Sequence, residues 1–89
     1  MKRVAQTKAF KKDLKRLEKR GKDITKLRDL VLRLANGEVL EDKYRNHPLQ
    51  GPWKPKWYCH LEPDWLLIYE MAEETVILVR SGSHADLFG

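Results

Sequence analysis

Apolar residues recur at helical spacing near the start of the chain. Phe10, Leu14 and Leu17 lie at positions i, i+4 and i+7, so a helix would carry them on one face. Thr7 is a suitable N-cap before this stripe, and Gly21 is a suitable residue to end the helix. The pattern therefore predicts an amphipathic first helix whose apolar face needs a partner.

A second apolar stripe follows Asp23 and stops at Asn36-Gly37. Its members are Ile24, Leu27, Leu30, Val31 and Leu34. The short turn between the two stripes favours an antiparallel helix pair, and the apolar faces of such a pair need a sheet to cover them. Neither stripe shows the sustained heptads of a coiled coil.

The stretch from residue 38 to residue 56 loses this periodicity. It is predicted to be a loop because turn residues interrupt any regular element, namely Pro48, Gly51, Pro52 and Pro55. One interpretation is a structured surface loop that presents His47. The other is that Leu49 and Trp53 simply fix the loop to the core, and both can hold together.

Strand patterns replace the helical spacing after residue 56. Residues 57–61 alternate in polarity and residues 65–69 are apolar on both faces, as in a central strand. One face of the first of these strands carries Trp57, Cys59 and Leu61, and the other carries Tyr58, His60 and Glu62. Residues 76–80 complete a three-stranded antiparallel meander.

A short first strand over residues 2–6 gives the element order β-α-α-β-β-β. We predict an α+β fold in which a two-helix hairpin packs on one face of a small, mostly antiparallel sheet. The 89 residues contain no internal repeat and no dividing linker, so one domain is expected over residues 1–89.

Charge is divided unevenly along the chain. Residues 1–36 hold 13 Lys and Arg against four Asp and Glu, a balance of +9, whereas residues 37–89 hold five against nine, a balance of −4. A surface of this kind attracts a polyanion. The alternative is a solvated helix surface that keeps the protein soluble, but the size of the excess favours a nucleic acid or an acidic protein as partner.

Composition places the chain in a reducing compartment. Cys59 is the one cysteine, so no internal disulfide can form. No apolar run approaches the ~18 residues of a membrane span, and the start Met1-Lys2-Arg3 lacks the apolar stretch of a signal peptide. We expect a cytoplasmic protein without a membrane partner.

The three histidines raise the question of a metal site, and their spacing disfavours one. Cys59 and His60 are adjacent on a strand, so their side chains point to opposite faces, and no Cys-x-x-Cys or His-x-x-x-His spacing occurs. The chain also lacks a nucleophile elbow, a Gly-rich phosphate loop and a dinucleotide fingerprint. No metal and no cofactor are expected.

Metal-free RNA cleavage fits these residues better. The reaction takes a proton from a ribose 2′-hydroxyl and delivers one to the leaving 5′-oxygen, and histidine suits both transfers. The last ten residues combine a phosphate-binding fork, Arg80, with a proton carrier, His84, and a stacking surface, Phe88. His47 and His60 also lie near loops or strand ends.

Three blocks of residues together resemble the YafQ branch of the RelE/ParE toxin superfamily. They are His47-Pro-Leu-Gln-Gly51, His60-Leu-Glu-Pro-Asp64-Trp65-Leu-Leu-Ile-Tyr69 and Arg80-Ser-Gly-Ser-His84-Ala-Asp-Leu-Phe88. The resemblance implies a RelE-like fold and a bacterial type II toxin, a ribosome-dependent endoribonuclease that cleaves messenger RNA in the ribosomal A site. It also implies a cognate antitoxin, the ribosome and messenger RNA as partners.

The resemblance further implies an active site. Its catalytic residues would be His47, His60, Asp64, Arg80 and His84, and its substrate-binding residues Trp65, Phe88 and Lys54. In the preferred assignment His84 is the general acid, and either His47 or His60 is the general base. Asp64 would orient a neighbouring histidine.

The remaining assignments concern the phosphate and the base. Arg80 would stabilise the phosphorane, and Phe88 or Trp65 would stack on an unpaired base. Because Arg80 and His84 lie at a strand end outside the apolar stripes, replacing either is expected to cost little core packing.

Two other function classes stay open from the residues alone. The same fold serves the ParE branch, which poisons gyrase without catalysis, and a basic RNA-binding module would explain the charge. The histidines argue against the first, and the combination of Asp64, Arg80 and His84 argues against the second. An antitoxin is expected to contact the basic helices through acidic and apolar groups and to mask the C-terminal segment.

Overall fold

The two helical stripes fold as their spacing predicts. In the computed structural model, which describes all 89 residues, α1 spans Lys8–Lys19 and α2 spans Ile24–Ala35. The side chains of Thr7 and Asp23 each accept a backbone N–H from the first turn of the helix that follows. The predicted first-helix cap, and both helix bounds to within a residue or two, are confirmed.

A five-stranded sheet lies beneath the helices. The strands are β1 (Arg3–Gln6), β2 (His47–Pro48), β3 (Trp57–Glu62), β4 (Trp65–Met71) and β5 (Thr75–Gly82). Their spatial order is β1-β5-β4-β3-β2, and only the β1–β5 pair is parallel. The predicted antiparallel meander is therefore confirmed as β3-β4-β5, and so is the α+β fold.

Two elements lie outside the predicted order. Within the stretch expected to lack regular structure, β2 pairs with β3 and places His47 opposite Tyr58. The last residues form α3 (His84–Phe88), which begins with a capping box between Ser83 and Asp86. The observed order is β-α-α-β-β-β-β-α, and none of its helices has the length and apolar content to cross a bilayer.

The main core lies between the helix pair and one face of the sheet. The strands contribute buried side chains from Cys59, Trp65, Leu67, Tyr69, Val76 and Leu78, and the helices contribute Phe10, Leu17, Leu27, Leu30, Val31, Leu34 and Ala35. Each large apolar side chain that is fully buried stabilises the fold by about 1.5–3 kcal/mol relative to its exposed state. The helix hairpin is held to the sheet by this layer.

The opposite face of the sheet is covered by the 47–56 loop and by α3. Its buried cluster consists of Leu66, Ile68 and Leu87. Leu49 and Trp53 pack against this cluster, so they fix the loop to the sheet. The fixed loop in turn holds His47 at an exposed position, and both interpretations of the loop are therefore correct.

One buried charge links α1 to β5. Asp13 is 1% exposed and accepts hydrogen bonds from Nε and Nη2 of Arg80, at 2.6 and 3.0 Å, and from the backbone N–H of Ser81 at 3.1 Å. A buried carboxylate without such partners would be costly, so the packing of α1 requires the guanidinium. The expectation that Arg80 contributes little to packing is therefore wrong.

We predict that Arg80→Ala lowers the free energy of unfolding by about 3 kcal/mol, because the carboxylate of Asp13 stays buried after its strongest donor is removed. Arg16, 3.4 Å from Asp13, limits the loss. Urea denaturation followed by circular dichroism measures the change. As a control, Arg28→Ala removes an exposed arginine of α2 and should stay within about 0.5 kcal/mol of the parent. Equal effects of the two substitutions would contradict the anchoring role of Arg80.

Candidate active site

Five side chains form a continuous array along one edge of the loop-covered sheet face. In order of contact they are Asp64, His84, His60, Tyr58 and His47. Four separate elements supply them: β2, β3, the β3–β4 turn and the first residue of α3. The fold thus brings together four of the five predicted catalytic residues, which span 38 positions of sequence from His47 to His84.

Asp64 holds His84 in a defined orientation. One carboxylate oxygen, Oδ1, accepts the backbone N–H of His84 at 2.8 Å and lies 2.6 Å from Nδ1 of its ring. The backbone N–H, followed by the ring, lowers the pKa of Asp64 below its usual value, so the carboxylate is ionised at neutral pH. Nδ1 must then be the donor, which leaves Nε2 of His84 free to face a substrate.

His60 occupies the middle of the array in a less polar setting. Its side chain is half-buried, and its Nδ1 is buried without a hydrogen-bond partner. Burial is the largest cause of a lowered pKa for His60, followed by the charges of His84, Arg45 and His47. The backbone of Tyr44 partly opposes this shift. His60 is therefore neutral at pH 7.

Tyr58 is the one member of the array that is not among the predicted site residues. Its Oη lies 2.5 Å from Nε2 of His47, and the two rings meet edge to face with centroids 4.2 Å apart. On its other side the Tyr58 ring is 5.4 Å from that of His60. The alternation of β3 already placed Tyr58 and His60 on one face, and this was the signal available in the sequence.

The same alternation was wrong for Glu62. The β3–β4 register shifts between His60 and Glu62, and the carboxylate of Glu62 binds Lys22 at 2.8 Å and Lys26 at 2.9 Å on the helix side of the sheet. A local irregularity of this kind moves a side chain to the other face. Glu62 is therefore outside the array.

Trp65 has no exposed surface that could contact a substrate. It packs in the helix-side core and donates its indole N–H to Oγ of Ser81 at 3.0 Å. The prediction that Trp65 stacks on a base is wrong for this reason. Its neighbour Asp64 is exposed, because the two residues lie on either side of the start of β4.

Arg80 forms no hydrogen bond or ion pair with the residues of the array. Its Nε and Nη2 are occupied by Asp13, so only Nη1 lacks a partner, and its side chain is 27% exposed. Binding of the phosphorane by Arg80 stays a prediction, and the anchoring contact with Asp13 restricts it to this one remaining group.

Phe88 and Lys54 are both exposed, as substrate contact would require. Phe88 is 44% exposed and rests edge to face on Trp53, with ring centroids 5.5 Å apart. This contact orients a free ring surface towards solvent. Lys54, next to Trp53, is exposed. Stacking by Phe88 and phosphate contact by Lys54 stay predictions.

The residues of the array do not form a ready metal site. No group of three or more His, Cys, Asp and Glu side chains is arranged to hold an ion. Cys59 lies in the core, where burial raises the pKa of its thiol to about 12, and on the opposite face from His60. The best-placed nitrogen and oxygen donors are already hydrogen-bonded to one another.

Comparisons with known proteins find relatives that match nearly the whole chain. Residues 2–89 match the family model described as "Bacterial toxin of type II toxin-antitoxin system, YafQ". The chain is 44% identical over 81 residues to the mRNA interferase toxin YafQ of Escherichia coli K12, covering 90% of this chain and 88% of that protein.

Solved structures extend the similarity to the fold. The E. coli DinJ–YafQ complex contains a chain that superposes with a TM-score of 0.92 at 40% identity, with 100% of both chains covered. A copper-bound mutant toxin from Helicobacter pylori gives a TM-score of 0.95 at 38% identity, covering 99% of this chain and 100% of that one.

We predict that Trp65→Phe lowers the free energy of unfolding by about 1–2 kcal/mol, because it removes a buried hydrogen bond to Ser81. The rate of RNA cleavage by the Trp65→Phe variant, divided by the amount of folded protein, should equal that of the wild type. Urea denaturation and a cleavage assay measure the two quantities. Phe88→Ala is the counterpart, with stability nearly unchanged and cleavage reduced about tenfold through lost stacking. A folded Trp65→Phe variant without activity would return Trp65 to the site.

Proposed function

The chain belongs to the YafQ family of bacterial type II toxins, and we propose that it cleaves messenger RNA in the ribosomal A site by metal-free acid–base catalysis. As a member of this family it is an endoribonuclease toxin of the mRNA interferase type, and its partner is a cognate antitoxin. The observation that carries the mechanistic proposal is the contacting array from Asp64 to His47.

His60 is the preferred general base. A base must be neutral before it acts, and the half-buried ring of His60, with its lowered pKa, meets this requirement at pH 7. It accepts the proton of the ribose 2′-hydroxyl as the 2′-oxygen forms a bond to phosphorus. The bond from phosphorus to the 5′-oxygen then breaks, which leaves a 2′,3′-cyclic phosphate and a 5′-hydroxyl end.

His84 is the general acid in this scheme and protonates the departing 5′-oxygen. The carboxylate of Asp64 at Nδ1 fixes the orientation of the ring, and Nε2 of the protonated ring gives its proton to the 5′-oxygen. A well-placed acid or base contributes about 10²–10⁴-fold to the rate. The ring centroids of His60 and His84 are 5.8 Å apart, which allows both to reach one phosphodiester.

His47 and Tyr58 support the base from the other end of the array. Nε2 of His47 is already in a hydrogen bond with Tyr58, so we assign this pair to substrate positioning and leave proton removal to His60. Tyr58 separates the two histidines and limits how closely they approach.

The basic surface of α1 and the array lie on opposite sides of the sheet, and this separation supports ribosome dependence. Lys11, Lys12, Lys15 and Lys19 are exposed on α1, which packs on the sheet face opposite to the array. These lysines are suited to phosphates of ribosomal RNA, while the ribosome positions the codon at the array. We infer that the protein acts in the cytoplasm, where messenger RNA is translated.

We propose that the antitoxin uses the same basic surface. An acidic, partly disordered segment would be attracted to it and would order on binding. The short α3, whose His84 and Phe88 side chains are exposed, is small enough to be masked by the same segment.

We predict cleavage of a messenger RNA in a translating complex and at least ~10²-fold slower cleavage of the same RNA without ribosomes, because proximity is then lost. Primer extension measures both rates at equal protein concentration. His84→Ala is the matched variant, since His84 is exposed and its loss should spare the fold while reducing cleavage ~10²-fold or more. Equal rates on free and ribosome-bound RNA would exclude ribosome dependence. If His84→Ala cleaved at the wild-type rate, His84 would have no part in the mechanism.

We predict that the acidic limb of kcat/KM has its midpoint below ~6.5, the ordinary pKa of histidine. The lowered pKa of His60 keeps it neutral to a lower pH, so activity falls only as the pH drops through that lowered value. The groups that face His60 are His84, His47, Arg45 and Tyr58. Single-turnover cleavage of intact translating complexes across the pH range measures the limb, and a midpoint above 6.5 would assign the base to another group.

A further inference from the structure

A basic groove adjoins the array on the side of α2. It lies between α2 and the segment 43–45, has a volume of about 540 Å³, and includes His60 in its wall. Its cationic residues are Lys26, Arg33, Lys43 and Arg45, and its acidic residues are Asp29 and Glu62. The basic groove therefore carries a net positive charge and opens directly onto the proposed general base.

Not all of this charge is available to a ligand. Lys26 is paired with Glu62 at 2.9 Å, and Arg33 is paired with Glu41 at 3.5 Å. Lys43 lies over the ring of Tyr44, and it forms no ion pair.

Arg45 is the cation of the basic groove with no partner of any kind. Its side chain is exposed and forms neither an ion pair nor a hydrogen bond. Its guanidinium is therefore free to bind an anion with both edges.

The backbone at Arg45 is unusual. With φ 47° and ψ 48° it is the one non-glycine residue of the chain in the left-handed region, where it ends the 3-10 turn Asp42–Tyr44. Glycine or asparagine suits this conformation better than arginine does. An arginine at such a position is best explained by a use for its side chain.

The position of Arg45 links the basic groove to the other end of the array. Arg45 also lines the neighbouring cavity of about 500 Å³, which contains His47 and Trp57. Its charge is close enough to His60 to lower the pKa of that ring. Arg45 therefore lies where an RNA strand would pass from one cavity to the other beside both histidines.

We propose that the basic groove binds the backbone of single-stranded RNA and that Arg45 holds a phosphate next to the scissile one. A guanidinium fork matches two phosphate oxygens, whereas the fork of Arg80 is already occupied by Asp13. The proposal rests on the proposed function, because it names the residue that aligns the RNA of that reaction.

The test uses the purified full chain and a short fluorescein-labelled oligoribonucleotide with 2′-O-methyl groups, which cannot be cleaved. Arg45→Asn removes the charge and keeps a residue that tolerates the left-handed region, and Arg45→Lys keeps the charge without the fork. Arg28→Ala removes an exposed arginine outside the basic groove. Fluorescence anisotropy measures affinity at several salt concentrations, and cleavage on ribosomes is measured separately.

We expect Arg45→Asn to bind about tenfold more weakly, with the salt slope reduced by about 1, and Arg45→Lys to be intermediate. Arg28→Ala should match the wild type. Equal binding by Arg45→Asn and the wild type, or no wild-type binding, would overturn the proposal. A labelled polyglutamate peptide serves as a second probe. If Arg45→Asn lost binding to this peptide but bound RNA as the wild type does, the basic groove would be a site for an acidic protein, and the proposal would be wrong. The probe cannot be cleaved, so binding and cleavage are tested separately. If RNA binding depended on Arg45 but the wild type cleaved no messenger RNA on ribosomes, the proposed function would be wrong and the binding proposal would stand.

Discussion

The structure depends on a buried carboxylate at the junction of α1 and β5. Asp13 binds the guanidinium of Arg80 and the backbone N–H of Ser81, and the hydroxyl of Ser81 accepts the indole N–H of Trp65. The same hydroxyl donates to the carbonyl of Leu66 at 2.7 Å. A connected network of buried hydrogen bonds favours one arrangement of its elements. Here it fixes the end of β5, from which α3 and His84 extend.

The short α3 depends on further anchors of the same kind. A helix of five residues has no stability of its own, because nucleation is costly. The capping box at Ser83 and a two-point contact between Asp86 and Arg20, at 2.6 and 3.0 Å, hold it against α1. The side chain of Asp86 lies close to the backbone of Gly82, and only glycine leaves room for it, since a Cβ there would lie 2.8 Å from the Asp86 carboxylate. The position of α3 therefore depends on Arg20 at the end of α1, whereas Asp64 sets the orientation of the His84 ring.

The elements that could be predicted from the sequence are those with a regular spacing of apolar residues. The helix stripes and the meander follow from side-chain spacing, and the grouping of His47, His60, Asp64 and His84 followed from the family resemblance. A two-residue strand such as β2 and a five-residue helix such as α3 have no periodicity to detect. The burial of Trp65 and the partner of Arg80 depend on contacts between residues far apart in sequence. One signal was available, because Asp13 lies on the apolar stripe three residues after Phe10 and so had to be buried with a partner.

The two histidines proposed for proton transfer need opposite environments, and the fold provides both within 5.8 Å. His60 is half-buried on a strand with one nitrogen unpaired, which disfavours its charged form. His84 is exposed, and its Nδ1 lies 2.6 Å from a carboxylate oxygen of Asp64. Because a charge on His84 lowers the pKa of His60, protonation of the acid favours the neutral form of the base. Their proximity therefore disfavours the state in which both rings are charged.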